Sequence, residues 1–264
     1  KPTDNRCSNY RRKTPLRGGH ITEKLYLRSI ESGYHQHFNA TVTEVEECRI
    51  VLDQTLFYPL GGGQNWDTGS LNGPNGMLKV SEVRGRDEVY HTVGEGHQLE
   101  VGDEVSGTID WQRRHAHMRM HTAQHLVSGL VYEMFDGART VGNQINTNRS
   151  RIDFNPIKFT DEMIEDLFHR ANEITESDLP VTDCIMTREE INAIMPPDRT
   201  NMSLLPISVK QLRVVRIGDN LDLCPCAGTH VRALGEIGDL EFLGRKNKGK
   251  GTTRVSYTLD GCES

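Results

Sequence analysis

The hydrophobic pattern divides the chain into two parts. Between Leu25 and Asp110, short segments alternate apolar with polar residues and are separated by turn residues. This alternation is typical of half-buried strands, and several such strands indicate a small antiparallel β-barrel or sandwich. The clearest of these segments are residues 40–45, 49–52, 78–83 and 104–109.

After Asp110 the pattern favours helices mixed with strands. Residues 111–135 contain no proline and only one glycine, and Asp136 and Gly137 follow as a stop signal, so we predict one long helix. The remaining predicted elements are strands at 150–154, 181–186 and 211–217, helices at 161–176 and 188–195, and a hairpin at 240–259. This order predicts an α+β fold with a boundary near Asp110, which gives domains at residues 21–110 and 111–264.

Charge and hydropathy narrow the choice of partner and location. The 264 residues carry 31 lysines and arginines against 37 aspartates and glutamates, a formal net charge of −6. Such a chain repels nucleic acid as a whole, so any RNA contact requires a local basic patch. We predict that residues 1–20 form a flexible basic arm. Because no apolar run approaches the roughly 18 residues that cross a bilayer, and the basic start lacks the apolar centre of a secretory signal, we expect a cytoplasmic protein without membrane contact.

Three histidines share one face of the predicted long helix. His117, His121 and His125 follow one another at intervals of four residues, so either adjacent pair could hold one metal ion. Spacing alone does not choose between the pairs, and an ordinary partly buried face is the alternative. The helical metalloprotease motif is excluded, since Thr122 stands where that motif requires a glutamate.

A second cluster far downstream strengthens the metal hypothesis. Cys226 and His230 are separated by three residues, and a thiolate with imidazoles suits zinc. Two helical histidines together with this pair make four ligands. Cys224 competes with Cys226 for the thiolate position, and a pair of buried thiols is the alternative. The six cysteines are spaced too unevenly for a disulfide framework.

Three motifs, in family order, resemble those of the editing domain of alanyl-tRNA synthetase and of its freestanding relatives, the alanyl-tRNA editing proteins. The motifs occupy residues 57–69, 121–126 and 226–230, within a resemblance that covers about residues 25–260. The resemblance implies a small translation-factor-type β-barrel followed by a two-layer α/β editing domain of the threonyl- and alanyl-tRNA synthetase type. It also implies one Zn²⁺ per chain, with His117 and Cys224 as neighbours of the site. The ligands that it implies are His121, His125, Cys226 and His230.

The resemblance implies a zinc-dependent deacylase that acts in trans and removes serine, or glycine, from alanine tRNA. A second hydrolytic site is useful because an alanine pocket rejects an amino acid that lacks one methylene by only about 1–3 kcal/mol. In relatives, a hydroxyl or amide residue before the strand at 151–154 recognises the amino-acid side chain, and Thr140 is the first candidate for it and Gln144 the second. The chain departs from the family at Gln124, often threonine in relatives, and at Ala227, a glycine in relatives.

The role of the zinc ion stays open at the level of sequence. It can lower the pKa of a bound water for attack on the ester, or it can position the aminoacyl group, and we favour positioning with attack by water. The alternative to an enzyme is a non-catalytic RNA-binding module that a closed zinc site staples together. Amino-acid activation is not expected, because strands rather than a large ATP-dependent catalytic domain are predicted before Asp110.

Two segments are candidates for tRNA contact. The first is the glycine loop with Gly61, Gly62, Gly63 and Gln64, because glycine lets a ligand approach the main chain, although ordinary turns use glycine too. The second is residues 244–254, which hold five basic residues and no acid. Its candidate phosphate contacts are Lys246, Lys248 and Lys250, and a solvated hairpin tip is the alternative. Gly251 stands where a P-loop carries serine or threonine, so we do not expect ATP binding.

Overall fold

The structure is a computed structural model, and it describes residues 21–196, 199, 209–219 and 221–262. The basic arm predicted at residues 1–20 lies outside the described residues. The chain forms two compact units. The first contains residues 35–60 and 66–111 with the described residues before 27, and the second contains residues 27–34, 61–65 and those from 112 onwards. This division lies next to the boundary predicted near Asp110, but no sequence pattern indicated that two short early segments belong to the second unit.

The first unit is an antiparallel β-sheet with an apolar core. Its strands are, in chain order, β1 (Glu23–Lys24), β2 (His37–Glu46), β3 (Arg49–Leu52), β4 (Gln54–Thr55), β5 (Gly69–Gly73), β6 (Gly76–Val80), β7 (Glu82–Gly85), β8 (Val89–Thr92) and β9 (Glu104–Ile109). Seven of them form one sheet in the order β6-β5-β9-β2-β3-β8-β7, while β1 pairs with β4 in parallel. Alternate residues of β2, namely Phe38, Ala40 and Val42, are buried in the core, as the sequence pattern predicts.

The closed barrel expected for this unit is not confirmed. Among the described residues, no ladder joins the two edge strands β6 and β7. Only Ser81 separates these strands in the chain, and a hairpin connection takes two or more residues, so they cannot pair with each other directly. Alternation of apolar and polar residues shows which face of a strand is buried, but it does not show whether the sheet closes.

The second unit combines helices with two antiparallel sheets. Its helices are α1 (Trp111–Met134), whose first residue belongs to the first unit, α2 (Asp161–Glu176) and α3 (Arg188–Ile194). Its strands are β10 (Arg139–Gln144), β11 (Ser150–Asn155), β12 (Val181–Thr187), β13 (Gln211–Ile217), β14 (Asp222–Pro225), β15 (Leu240–Gly249) and β16 (Thr252–Leu259). They form a four-stranded sheet in the order β10-β11-β16-β15 and a three-stranded sheet in the order β12-β13-β14. The unit is therefore α+β, as predicted.

Helices α1 and α2 cover one face of the four-stranded sheet. Phe168 of α2 packs on Phe242 of β15 with ring centroids 5.6 Å apart. Tyr257 of β16, which lies opposite Phe242 in the ladder, donates a hydrogen bond to the carbonyl of Met120 in α1 at 2.7 Å. Helix α3 packs instead on the three-stranded sheet, in a core that includes Ile191.

The helix ends in this unit follow from local sequence features. Helix α1 runs almost as predicted, and the backbone after it turns with positive φ angles of 45° at Asp136 and 74° at Gly137. Thr160 caps α2 by accepting a hydrogen bond from the backbone amide of Met163. Strands β10 and β14 were not predicted, because each is short and lacks a clear alternation. Within the described residues, no helix has the length and apolarity that crossing a membrane requires.

Candidate metal centre

Helix α1 supplies two side chains of the candidate site. His121 and His125 are one helical turn apart, so their imidazoles project on the same side of the helix. Every residue from 120 to 127 is buried, which places both rings in the interior of the second unit. Burial of this whole stretch explains why an amphipathic helical period is weak here.

The loop after β14 supplies the other two side chains, Cys226 and His230. Arg213 of β13 holds this loop by donating hydrogen bonds to the carbonyls of Cys226 at 3.0 Å and Gly228 at 3.1 Å. The guanidinium of Arg213 is itself paired with Asp183 at 2.7 Å. The loop conformation therefore depends on side chains of the neighbouring strands.

The four predicted ligand side chains converge on one point. One donor atom from each of His121, His125, Cys226 and His230 lies within 4.8 Å of all the others. Cys226 Sγ is 3.5 Å from Nε2 of His121 and 3.4 Å from Nε2 of His230. Nitrogen and sulfur donors in a tetrahedral zinc site lie about 3.3–3.7 Å apart, given zinc–ligand distances of about 2.0–2.3 Å. The observed separations match that geometry.

Two of the histidines have the Nδ1 atom held by a polar neighbour. Nδ1 of His121 lies 2.7 Å from Oε1 of Gln64, and Nδ1 of His125 lies 2.8 Å from Oδ2 of Asp222. Both partner atoms only accept hydrogen bonds, so both imidazoles carry their proton on Nδ1. Their Nε2 atoms are consequently left with a lone pair that can bind a metal.

The third histidine is oriented in the same way. Nδ1 of His230 lies 3.2 Å from the hydroxyl of Thr122. That hydroxyl already donates its proton to the carbonyl of Met118 at 3.0 Å, so the imidazole must be the donor in the contact with Thr122. In all three imidazoles Nδ1 is thus the donor to a protein neighbour, so Nε2 is the atom directed at the same point, beside the sulfur of Cys226.

The electrostatics of the cluster favour a thiolate beside a cation. Burial alone would raise the pKa of Cys226, but the neighbouring imidazoles of His121 and His230 lower it well below its ordinary value. Burial lowers the pKa of both those histidines. Burial also acts to lower the pKa of His125, but hydrogen bonds to Asp222 and Cys226 overcome it and raise the pKa to about 10. His125 therefore favours a second proton, on Nε2, near neutral pH, so the position beside the sulfur favours a positive charge, whether that proton or a metal ion.

These observations agree with a zinc site. When a metal ion takes the place of the second proton of His125, one thiolate and three neutral imidazoles form a borderline-soft donor set that suits Zn²⁺. The fixed Nδ1 tautomers are the outer contacts that metal-binding histidines in proteins normally have. The geometry therefore fits a divalent ion bound by His121, His125, Cys226 and His230.

The glycine loop places Gln64 in this site. Gly62 and Gly63 have positive φ angles of 55° and 87°, which glycine adopts without strain. The carbonyl of Gly63 accepts a hydrogen bond from the amide of Ile145 at 2.8 Å, and the amide of Asn65 donates to the carbonyl of Ile145 at 3.1 Å. The loop is thus fastened to the chain just after β10.

The structure assigns Gln64 a different environment from the one expected for a tRNA contact. Its side chain is fully buried. Besides the contact with His121, its Oε1 accepts a hydrogen bond from the amide of Thr229 at 3.1 Å, and its Nε2 donates to the Thr229 hydroxyl at 2.9 Å. Gln64 thus contacts one side chain of the candidate ligand group, His121, and the residue that precedes another, His230.

The predicted pocket residue Thr140 belongs to a chain of hydroxyl and amide groups. Its Oγ1 lies 2.6 Å from Oγ of Ser128, which accepts a hydrogen bond from Nε2 of Gln124 at 2.8 Å. Oε1 of Gln124 lies 3.4 Å from Nδ2 of Asn143, which donates to it. Gln124 precedes the ligand His125 in the helix. This series of hydrogen bonds therefore runs from α1, the helix that carries His121 and His125, to the edge strand β10.

Gln144 is placed differently from Thr140. Thr140 and Asn143 lie opposite the buried residues Phe154 and Ile152, whereas Gln144 lies opposite the exposed Arg151. A β-bulge between Thr140 and Gly142 produces this arrangement. Asn143, which was not among the sequence candidates, thus lies on the same side of the sheet as Thr140, whereas Gln144, the second candidate for recognising the amino acid, does not.

The other sequence candidates lie outside the ligand group. His117 is fully buried, neither of its ring nitrogens has a hydrogen-bond partner among the described residues, and burial lowers its pKa to about 3. Cys224 does not belong to the ligand group found in the described part of the chain. Lys246, Lys248 and Lys250 are all exposed, on β15 and on the turn that follows it.

Comparisons with known proteins agree with this architecture. Residues 22–113 match the family model of class II (A) tRNA synthetases, and residues 212–256 match that of the threonyl and alanyl tRNA synthetase second additional domain. The alanyl-tRNA editing protein AlaX-M of Saccharolobus solfataricus is 39% identical over 245 residues, which cover 90% of this chain and 99% of the relative. The protein of the same name from Methanosarcina barkeri is 34% identical over 248 residues, which cover 90% and 99%.

A longer relative matches in one part only. The alanine–tRNA ligase of Pyrobaculum calidifontis is 35% identical over 234 residues, which cover 86% of this chain but 26% of the ligase. The fold and the site thus define a protein related to the editing region of tRNA synthetases. On the identity and coverage of the relatives, the chain belongs to the family of alanyl-tRNA editing proteins of the AlaX-M type.

Proposed function

We propose that this protein is a zinc-dependent deacylase that hydrolyses the ester between serine, or glycine, and alanine tRNA, and that it acts in trans on tRNA charged by another enzyme. The observation that carries the proposal is the convergence of Cys226 with three imidazoles whose tautomers are all set by buried partners. The curated relatives that carry the name of alanyl-tRNA editing proteins match nearly the whole chain.

The chain's own residues prepare the metal site. Gln64, Thr122 and Asp222 hold the three imidazoles in one tautomer and one orientation. When bound, Zn²⁺ supplies a Lewis acid that can hold the aminoacyl group or polarise water next to the ester carbonyl. Arg213 fixes the conformation of the loop that carries Cys226 by donating hydrogen bonds to two of its carbonyls. The site is thereby organised before substrate arrives.

Recognition of the amino acid is proposed for Thr140 and its neighbours. Thr140, Ser128 and Gln124 form a continuous hydrogen-bonded chain beside the ligand helix. A serine hydroxyl can replace one hydrogen bond in this chain, whereas an alanine methyl group would leave a polar group unpaired at a cost of about 1–3 kcal/mol. Discrimination between serine and alanine therefore follows from the polarity of these side chains.

The tRNA contacts are proposed for the exposed lysines Lys246, Lys248 and Lys250. They surround a turn in which Lys250 has a positive φ of 50° between two glycines. A cluster of positive charge on a chain of net charge −6 is the kind of local patch that a phosphate backbone requires.

The test is deacylation of purified alanine tRNA that carries serine, glycine or alanine. We expect rapid release of serine or glycine, slow release of alanine, and loss of activity together with bound zinc in Cys226→Ser. The matched control is Cys184→Ser, because Cys184 is exposed on β12 and should keep both zinc and activity. If the protein binds zinc and tRNA but releases none of the three amino acids faster than buffer does, it is instead the non-catalytic module that a closed four-ligand site would permit.

A further inference from the structure

The four-stranded sheet has one face packed on helices and a second face that carries basic side chains. In β11, Ile152 and Phe154 are fully buried, so Arg151 and Asp153 project on the opposite face. Asp153 lies opposite Arg254 of β16, and Arg254 lies opposite Lys246 of β15. These cross-strand neighbours share one face. We call this surface the basic sheet face.

The basic sheet face is positively charged although the protein is not. Three adjacent rows of cross-strand neighbours on this face, those that contain Arg139, Asp153 and Arg151, hold four basic residues and one acid. Their formal charge is +3, while the whole chain carries −6. The basic residues are Arg139, Arg151, Arg254 and Lys246, and the acid is Asp153. Glu241 lies further along β15, outside these rows.

The face contains an ordered ion pair, and three of its four basic residues are exposed. The guanidinium of Arg254 binds Asp153 through two hydrogen bonds, at 2.6 and 2.8 Å, which holds both side chains in place on the sheet. Gly142 and Gly244 lie within these rows, one on each edge strand, and the space that a Cβ at Gly244 would fill has no atom within 4 Å. Arg139, Arg151 and Lys246 are exposed.

The basic sheet face begins at β10, the strand that carries the proposed recognition residue Thr140. β10 is the edge strand of the sheet. Its residues Thr140 and Asn143 take part in the chain of hydroxyl and amide groups beside the ligand helix, whereas Arg139 lies opposite Asn155 on the basic sheet face. A polyanion that enters the pocket at β10 can therefore continue over the other side of the same strand.

We propose that the basic sheet face binds the sugar–phosphate backbone of the tRNA whose aminoacylated end occupies the pocket, with Arg151 and Lys246 as the principal phosphate contacts. The inference rests on the proposed function. It extends the tRNA contact from the exposed lysines around the β15–β16 turn to the basic sheet face. The Arg254–Asp153 pair orders the surface between these two contacts. Arg151 and Lys246 lie on strands that are two apart in the sheet, so they are about 10 Å apart in the hydrogen-bonding direction.

The test compares three single substitutions in the full chain: Arg151→Gln, Lys246→Gln and, as matched control, Arg170→Gln. Arg170 is an exposed arginine on α2, the helix that covers the other face of the sheet. The dissociation constant for deacylated alanine tRNA is measured over a series of salt concentrations. Removing one phosphate interaction makes the slope of the log association constant against log salt concentration less negative by about 0.7–0.9. At 0.15 M salt this corresponds to a roughly four- to fivefold weaker affinity. We expect this for Arg151→Gln and Lys246→Gln, and no change for Arg170→Gln.

A second measurement separates this surface from the chemistry. A small ester substrate, serine esterified to adenosine, lacks the tRNA body, so the wild-type chain and all three variants should hydrolyse it at the same rate. With seryl-tRNA, Arg151→Gln and Lys246→Gln should raise KM and leave kcat unchanged. If the wild-type chain deacylates seryl-tRNA while both variants keep the affinity and salt slope of the control, the proposed surface is wrong and the proposed function stands. If the wild-type chain hydrolyses neither substrate, the proposed function itself fails.

Discussion

Replacing Gly228 by alanine should weaken metal binding selectively, because this glycine lies against a ligand. A Cβ built at Gly228 would be 2.0 Å from Cε1 of His121, and ordinary van der Waals contact begins at 3.4 Å. The imidazole would have to retreat by about 1.4 Å, the difference between these distances. Gln64 holds Nδ1 of the same ring, and Arg213 holds the carbonyl of Gly228, so neither group is free to move.

The size of the effect follows from that displacement. Disturbing the contacts that orient a metal ligand typically costs 10–100-fold in affinity, and a displacement larger than 1 Å places Gly228→Ala at the upper end, at about 100-fold or roughly 2.7 kcal/mol. Zinc affinity is measured by competition with a chelator. The melting temperature, taken with and without zinc, reports how much stability the metal adds.

The matched control is Gly33→Ala in the same unit. A Cβ at Gly33 would have Cε of Met118 as its nearest neighbour, at 3.8 Å, which is an ordinary contact. This variant should keep wild-type zinc affinity. Wild-type affinity in Gly228→Ala would refute the packing argument, whereas equal destabilisation of the metal-free and zinc-bound forms would show that the glycine serves folding rather than the metal.

Three further predictions concern other parts of the molecule. Gln64→Leu removes the acceptor of His121 Nδ1 and should weaken zinc binding by about 10–100-fold in the same chelator assay; an unchanged affinity would exclude an orienting role for Gln64. Thr140→Val should slow release of serine from tRNA by about tenfold and leave glycine release nearly unchanged, since only serine offers a hydroxyl; equal effects on both would remove Thr140 from side-chain recognition. Burial lowers the pKa of His91 to about 4, so the free energy of unfolding of the first unit should fall by about 2 kcal/mol between pH 7 and pH 5, because protonation favours the unfolded chain. Urea unfolding, followed by the fluorescence of Trp66 and Trp111, which both lie in that unit, measures this free energy. The free energy of unfolding of His91→Asn should depend less steeply on pH.

The sign of the pH effect depends on how His91 is paired. Its Nδ1 donates to the carbonyl of Ile50 at 3.1 Å, and its Nε2 accepts from the hydroxyl of Thr55 at 2.9 Å, which requires the neutral ring. The full contribution to stability is therefore present above pH 6.5, the ordinary value for an imidazole, and is lost progressively as the pH falls towards 4.

Local chemistry predicted the metal ligands only in part: helical spacing left two histidine pairs open and Cys224 competed with Cys226, and the resemblance to alanyl-tRNA editing proteins chose the set that converges in the structure. His121 and His125 are spaced for one helical turn, and Cys226 and His230 are residue types that bind zinc. The contacts that orient these ligands could not be predicted in the same way. Gln64 is 57 positions from His121, and an amide side chain in a glycine loop is compatible with many roles. Only the fold brings it beneath the imidazole.

Edge strands and sheet closure were predicted least well. β10 contains Gly142 and a bulge, so its residues do not alternate strictly and the strand pattern is hidden. That irregularity decides which side chains approach the helix, and it is why Asn143 rather than Gln144 contacts Gln124. In the first unit, alternation predicted buried faces correctly, while closure depends on long-range pairing that no single strand encodes.

The chain order of the glycine loop has a consequence for how the protein can be divided. Residues 27–34 and 61–65 are encoded within the first part of the chain, yet they belong to the compact unit that contains the metal ligands. A fragment that begins at residue 112 would keep all four ligands. It would lose Gln64 and with it the β-bridge between Gln64 and Ile145. An engineer who wants a minimal autonomous catalyst from this protein would therefore have to graft the early loop back or supply another acceptor for His121.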